Sequence, residues 1–269
     1  MTDLPVMLAA ALIPLGLAAC LAGALAGARV SAGVAGRVAD LLGGTACLVA
    51  LAAWLGRWGS AGHMPLFGTF ESALSLCLAV LAAAMLARRR LPGGSGLWLP
   101  VGTMVAVLMA HGMGYSTQVF ALTISERSWW VELHALIAWA AFGIFLANAG
   151  LAFLVIRRPG DEVAENRMIF TLRLAFAAHA AMLASGSFYK FLLFGRTWSF
   201  DPIETLGLVA WVAYGTLLHM QLLAGWHGRR LASWCLILFL LLLVSYRGIV
   251  YFPGWSTYHI FDVDLRFHE

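Results

Sequence analysis

The chain has 269 residues, of which 62% are hydrophobic and only 11% charged, against about 25% charged in an ordinary soluble domain. Its 17 basic and 13 acidic side chains cannot cover a water-facing surface, and a mean hydropathy of +0.86 makes lipid its solvent. The net charge of +4 then reports loop arginines on one membrane face rather than an anionic partner; no basic run interleaved with aromatics marks a nucleic-acid surface.

Crossing hydrocarbon takes about 20 apolar residues as a helix. Eight such stretches follow one another, at roughly 5–27, 37–56, 70–87, 97–114, 132–156, 170–193, 204–225 and 231–250. They are apolar nearly all round, and none shows the alternation of about ten residues that a membrane barrel strand requires. The expectation is an all-α polytopic transmembrane helix bundle forming one integral membrane domain over residues 1–269. The stretch from Leu4 to Ala28 has Asp3 ahead of it and no basic leader, so it reads as a retained first span rather than a cleaved signal. Cys20, Cys47, Cys77 and Cys235 lie inside apolar segments and none forms Cys-x-x-Cys, which leaves zinc, thioredoxin-like chemistry and covalent haem attachment without a motif.

Arginine placement sets the orientation. Arg29, Arg37, Arg88, Arg89, Arg90, Arg157, Arg158, Arg167, Arg173, Arg229 and Arg230, 11 of the 17 basic residues, fall in alternate connections. Arg57, Arg127, Lys190, Arg196, Arg247 and Arg266 fall on the other side, so the positive-inside rule predicts both termini outside. The predicted outer side holds the longer connections: Gly56 to Thr69, Tyr115 to Val131, Phe194 to Glu204, and the tail from Tyr251. Trp129, Trp130, Trp198 and Trp255 gather there. An interfacial aromatic belt accounts for such residues, but chemistry is better accommodated here than on the short basic loops.

Polar groups at membrane depth are costly and point to function. His134, near the start of the fifth span, and His259, in the tail, lie on the predicted outer side among aromatics. Two neutral imidazoles can hold a haem iron from opposite faces while aromatic rings pack on the porphyrin; two unrelated interfacial histidines is the plainer alternative. His179 lies 15 residues before Phe194 and His219 lies 15 residues after Glu204. At ~1.5 Å per residue both are expected about 22 Å inward, at one depth, where they could form a second bis-histidine site. The alternative is that His219 snorkels to the inner interface and His179 bonds a neighbouring helix. Between the sixth and seventh spans runs Phe194-Gly-Arg-Thr-Trp198-Ser-Phe200-Asp201-Pro-Ile-Glu204-Thr205. Asp201 followed by Pro202 predicts a capped helix start with Glu204 in its first turn. Capping leaves unexplained the aromatics at 194, 198 and 200, which would make a flat apolar surface suited to a planar macrocycle. Arg127, Arg196, Arg247 and Glu71 could pair with haem propionates or with one another.

This run resembles the tryptophan-rich WWD signature, Trp-Gly-x-x-Trp-x-Trp-Asp-x-x-Glu, of the haem-handling membrane proteins of cytochrome c biogenesis. It is most similar to the CcsA/ResC branch, with CcmC more distant. Further elements agree in order over about residues 60–260. Gly62-His-Met-Pro65-Leu-Phe-Gly-Thr-Phe70-Glu71-Ser72 is similar to the family's Pro-[LI]-x-x-x-[YF]-Glu-Ser element. His219, in Ala213-Tyr-Gly-Thr-Leu-Leu-His219, matches its membrane histidine, and Gly225-Trp-His-Gly-Arg-Arg230 the loop that follows. His134 and His259 stand where the family has its two external haem ligands. Two signature tryptophans are phenylalanines here, Phe194 and Phe200, which keeps aromatic area and removes two indole donors. The tail reads Trp-Ser-Thr-Tyr-His259-Ile rather than Leu-His-Ser-Tyr-Gly.

The resemblance implies non-covalent b-type haem held by His134, His259, His219 and His179 and packed on Phe194, Trp198, Phe200, Asp201 and Glu204. In the fused synthases the partner supplies the first membrane histidine, a place His179 could fill here. It further implies a bacterial cytoplasmic membrane, a CcsB-like partner, apocytochrome c as acceptor, and a part in a cytochrome c synthase. Two sites at different depths equally suit a haem b electron-transfer subunit linked to quinone. A transporter without cofactor is a third reading, disfavoured by the lack of an evident inverted repeat.

Overall fold

The computed structural model describes residues 3–27, 32–88, 94–122 and 126–245. Within them the chain is all-helical: α1 (Leu4–Gly27), α2 (Ala32–Ala61), α3 (Thr69–Arg88), a 3-10 turn (Gly94–Leu97) leading into α4 (Trp98–Met113), α5 (Trp129–Arg157), α6 (Glu162–Phe194), α7 (Pro202–Leu223) and α8 (Gly228–Leu243). Helices satisfy every backbone group internally, as hydrocarbon demands. Among the described residues seven segments are long and apolar enough to cross a membrane, α4 together with its 3-10 turn being one, so the chain is a multi-pass membrane protein. The eighth expected span begins as α8, 16 residues long, and its continuation past residue 245 lies outside the described residues.

Most helices start a few residues earlier than hydropathy predicts, α6 by the widest margin. α6 begins eight residues before the expected 170 because its polar first turns are properly capped: the Asp161 carboxylate accepts from the Ala164 N–H at 3.0 Å. Hydropathy ends where side chains turn polar, whereas a helix continues to its cap.

α3, α4 and α5 form the centre. α1 lies along α2 and α4, α6 lies along α5, and α8 joins α5 to α7. Small residues let backbones meet. A Cβ on Gly102 would stand 2.4 Å from the Gly16 carbonyl oxygen of α1 and 2.7 Å from the Cys20 nitrogen, and one on Gly143 would stand 2.6 Å from the Ala79 backbone of α3.

The α2–α3 hairpin is pinned by an ion pair at each end. Arg88 grips Asp40 through both carboxylate oxygens, Nε to Oδ1 at 2.9 Å and Nη2 to Oδ2 at 2.6 Å, while the Trp98 indole donates to Oδ1 at 2.8 Å. At the other end Arg57, only 1% exposed, donates to Glu71 Oε1 at 2.9 Å and to the Gln118 carbonyl at 2.7 Å, with Asp3 at 3.5 Å. Trp54 and Ser75 extend this second junction. The indole donates to the hydroxyl at 2.9 Å, and the hydroxyl donates to the Pro65 carbonyl, folding the 62–68 loop onto α3. Asn148 ties α5 to α6 by donating to the Met168 carbonyl at 2.7 Å.

These contacts set three expectations for thermal unfolding in detergent. Gly102→Ala meets backbone that no rotamer change relieves and lowers stability by about 1–3 kcal/mol. Gly44→Ala, which meets nothing within 4 Å, raises it by roughly 0.5–1 kcal/mol. Arg57→Met strands a buried carboxylate and costs ~3–5 kcal/mol, whereas adding Glu71→Leu recovers part of that loss. A double variant as unstable as the single would show that the pair is not the source of the cost.

Candidate functional site

The connections α2–α3, α4–α5 and α6–α7 share one end of the bundle, the end the arginine bias predicts to face outward. α6 stops at Gly195, which adopts the left-handed conformation (φ 68°) and donates to the Phe191 carbonyl at 2.9 Å. The chain then returns to Asp201, whose buried carboxylate accepts from the Ile203 N–H at 2.9 Å with Pro202 opening α7. This is the capped start read from the sequence.

The three loop aromatics differ in exposure. Phe194 is 55% exposed and Phe200 81%, while Trp198 is half-buried. Phe200 is the one non-glycine described residue with positive φ, at 57°, a region L-residues rarely occupy. Its neighbours are both held. Ser199 donates to Glu204 Oε2 through its N–H at 3.1 Å and its hydroxyl at 3.3 Å, and Asp201 is fixed by its cap. Beneath them the buried Lys190 ammonium of α6 reaches Glu204 Oε1 and the Ser199 hydroxyl. Lys190 was not singled out from the sequence; a cation inside an apolar helix, 14 residues before a glutamate, was the available signal.

His134 sits on α5 against α6, its ring over Gly186, where a Cβ would come within 2.8 Å of Cε1. Its Nδ1 is 3.1 Å from the Ser185 hydroxyl, which donates its single proton to the Met182 carbonyl. With its proton on that carbonyl the hydroxyl accepts from His134 Nδ1–H, the tautomer of the neutral ring that leaves the lone pair on Nε2. One helical turn outward, Trp130 stacks on Trp129 at 3.8 Å and meets Phe188 edge-on at 4.8 Å. Ser185 and Gly186 belong to a Ser-Gly-Ser interruption of an apolar helix, a signal also left unread in the sequence.

His179 and His219 are not brought to one depth. Phe176 of α6 stacks on Trp211 of α7 at 4.9 Å and abuts Gly215, and Leu183 lies beside Gly207. In this register Trp211 is level with His179. His219 lies toward the Arg173–Gln221 contact, eight residues beyond Trp211 and so ~12 Å farther along the bundle. Counting 15 residues from each side of the turn assumes that both helices end at one height, and α6 runs about six residues beyond the start of α7. His179 is 2% exposed, edge-on to Phe145 at 5.7 Å, with neither ring nitrogen hydrogen-bonded. His219 is exposed on the bundle surface, and its Nδ1 donates to the Gly215 carbonyl at 2.8 Å, leaving its lone pair on Nε2.

Of the remaining expected residues, Glu71 is taken by Arg57, Arg127 Nε donates to the Leu122 carbonyl at 3.0 Å, and Arg196 is exposed. His259 and Arg247 lie outside the described residues. The Pro65–Ser72 element forms one wall of a small pocket with Arg57, His63, Gln118 and Glu126. His63 Nδ1 donates to the Met64 carbonyl at 3.0 Å, and its Nε2 is buried without a hydrogen-bond partner.

Known proteins agree with this architecture. The chain is 25% identical to the cytochrome c biogenesis protein CcsA of Synechococcus sp. (strain CC9902) over 252 residues, covering 79% of this chain and 83% of that one. It is also 25% identical to CcsA of Prochlorococcus marinus (strain MIT 9303), covering 79% and 80%. Among solved structures it shares the fold of the cytochrome c haem lyase CcmF, with a TM-score of 0.67 and 18% identity. The match covers 90% of this chain and 46% of that one, so the chain spans about half the length of that structure. The family model for the cytochrome C assembly protein matches residues 38–255. The chain belongs to the cytochrome C assembly protein family and is a CcsA-like membrane protein of cytochrome c biogenesis.

Proposed function

We propose that the chain carries b-type haem in a bacterial cytoplasmic membrane and presents it at the outer face to apocytochrome c, alone or with a CcsB-like partner subunit. The supporting observation is the state of the imidazoles. His134 and His219, which stand at the family's ligand positions, each have Nδ1–H bonded to an oxygen and the lone pair on Nε2. That second hydrogen bond is what orients a ligating histidine and makes it more basic. In this reading His134 and His259 hold haem at the outer face, with Trp198, Phe200 and Phe194 as apolar wall and Asp201 and Glu204 fixing the loop. His219 serves haem at the membrane surface of α7, and His179 serves the bundle interior. Haem is cargo whose iron and vinyl chemistry belong to it and to the acceptor thiols; the protein binds, orients and releases it.

The decisive measurement is an absorption spectrum with a haem-to-protein ratio on protein purified from haem-replete bacterial membranes. A bis-histidine b-type spectrum is expected, with a marked loss of haem in the His134→Ala/His259→Ala double variant. Full occupancy in that variant would falsify the outer assignment. Ser185→Ala, which removes only the Nδ1 acceptor, weakens haem binding by roughly 10–100-fold. Loss of haem to added apocytochrome c marks an assembly protein, while haem that stays bound and is reduced by quinol marks an electron-transfer subunit instead.

A further inference from the structure

We propose that Lys190 is a positioning residue for the Phe194–Glu204 loop, acting through Glu204 and Ser199 to hold the Phe200 ring outward. The link to haem rests on the function proposed above; the clamp itself does not.

Lys190 is 7% exposed, near the end of α6, and its ammonium donates to Glu204 Oε1 and to the Ser199 hydroxyl. The same hydroxyl and the Ser199 N–H both donate to Glu204 Oε2. Both carboxylate oxygens are thus taken within the protein, Oε1 by Lys190 of α6 and Oε2 by Ser199 of the loop, which makes Glu204 an anchor rather than a group offered to a ligand. On the other side of Phe200, Asp201 is 4% exposed, its carboxylate accepts from the Ile203 N–H and its carbonyl from the Thr205 N–H at 2.9 Å. Residues 199 and 201 are therefore both fixed.

The backbone between them holds Phe200 at φ 57°, a conformation that persists where its surroundings over-determine it. The side chain there is 81% exposed. A large apolar ring is thus held away from the protein by hydrogen bonds on each side. Removing the ammonium frees Glu204, then Ser199, and lets Phe200 relax to negative φ and fold its ring inward. Lys190 acts on the ring through Ser199 and Glu204. It determines whether the ring is presented.

The test uses the full chain in detergent with two readouts. Mass spectrometry follows trypsin cleavage of the exposed Arg196–Thr197 bond in haem-free protein, and haem b titration follows binding by absorption. Lys190→Met is expected to speed that cleavage about tenfold, since proteolysis follows the population of the open loop, and to weaken haem binding severalfold. Lys190→Arg, which keeps the charge and donors, is expected to restore most of both. Should Lys190→Met destabilise the bundle, the reversed pair Lys190→Glu/Glu204→Lys is expected to regain loop protection that neither single change retains. Unchanged cleavage in Lys190→Met, or no recovery in either the arginine or the reversed variant, overturns the positioning role. Faster cleavage with wild-type haem affinity upholds the clamp and overturns the haem reading of the loop.

Discussion

Charge in hydrocarbon has to be paired, and this constraint organises the bundle. A lone buried ion is far too costly, so the few charges at the ends of the spans are used as junctions between helices. The α2–α3 hairpin shows it most clearly. Asp40 meets Arg88 and Arg57 meets Glu71, so the two pairs are 17 residues apart on both helices. That spacing is about 26 Å, close to the hydrocarbon thickness of ~30 Å. The hairpin is thus pinned where water begins on each side, and between the pins the helices need only apolar contact. Glycines then set how closely neighbours approach, as Gly16 and Gly102 do for α1 and α4.

The α6–α7 hairpin is built differently, and the difference shapes the site. Because α6 overshoots the start of α7 by about six residues, Lys190 stands beside the first turn of α7, where Glu204 can meet it. The same overshoot makes the chain turn back through Gly195 and return to Asp201, leaving aromatic side chains on the outside of the return. It also shifts His219 away from the level of His179. One offset between two helices therefore produces the buried clamp, the exposed ring and the separation of the two histidines.

The spans were legible because run length alone identifies them: the thermodynamic requirement is apolar length, and the sequence displays it directly. Their ends were less so. Asp161 extends α6 through polar turns that hydropathy ignores, whereas the Asp201–Pro202 start was readable because capping is local chemistry. The site was legible as a loop of aromatics in a recognisable order. It was not legible as a strained turn on a buried lysine, because the Lys190–Glu204 pairing depends on how two helices are staggered. Stagger is fixed by packing, here Phe176 on Trp211 and Leu183 beside Gly207, and spacing from a turn carries no information about it.

The same distinction separates the histidines. A ring nitrogen becomes a dependable ligand when the other nitrogen is bonded to an acceptor, since that bond fixes tautomer and orientation together. His134 has such an acceptor in Ser185, and His219 has one in the Gly215 carbonyl one turn before it. His179 has none, and carrying an unpaired buried imidazole costs ~1–3 kcal/mol. Its ring contact, Phe145 at 5.7 Å, offers an aromatic edge rather than an oxygen. Symmetry of sequence spacing made His179 and His219 look equivalent, yet their surroundings are opposite in kind. His134 and His219, whose Nδ1 atoms each meet an oxygen, differ in this from His179, a distinction that neither motif order nor residue counting imposes.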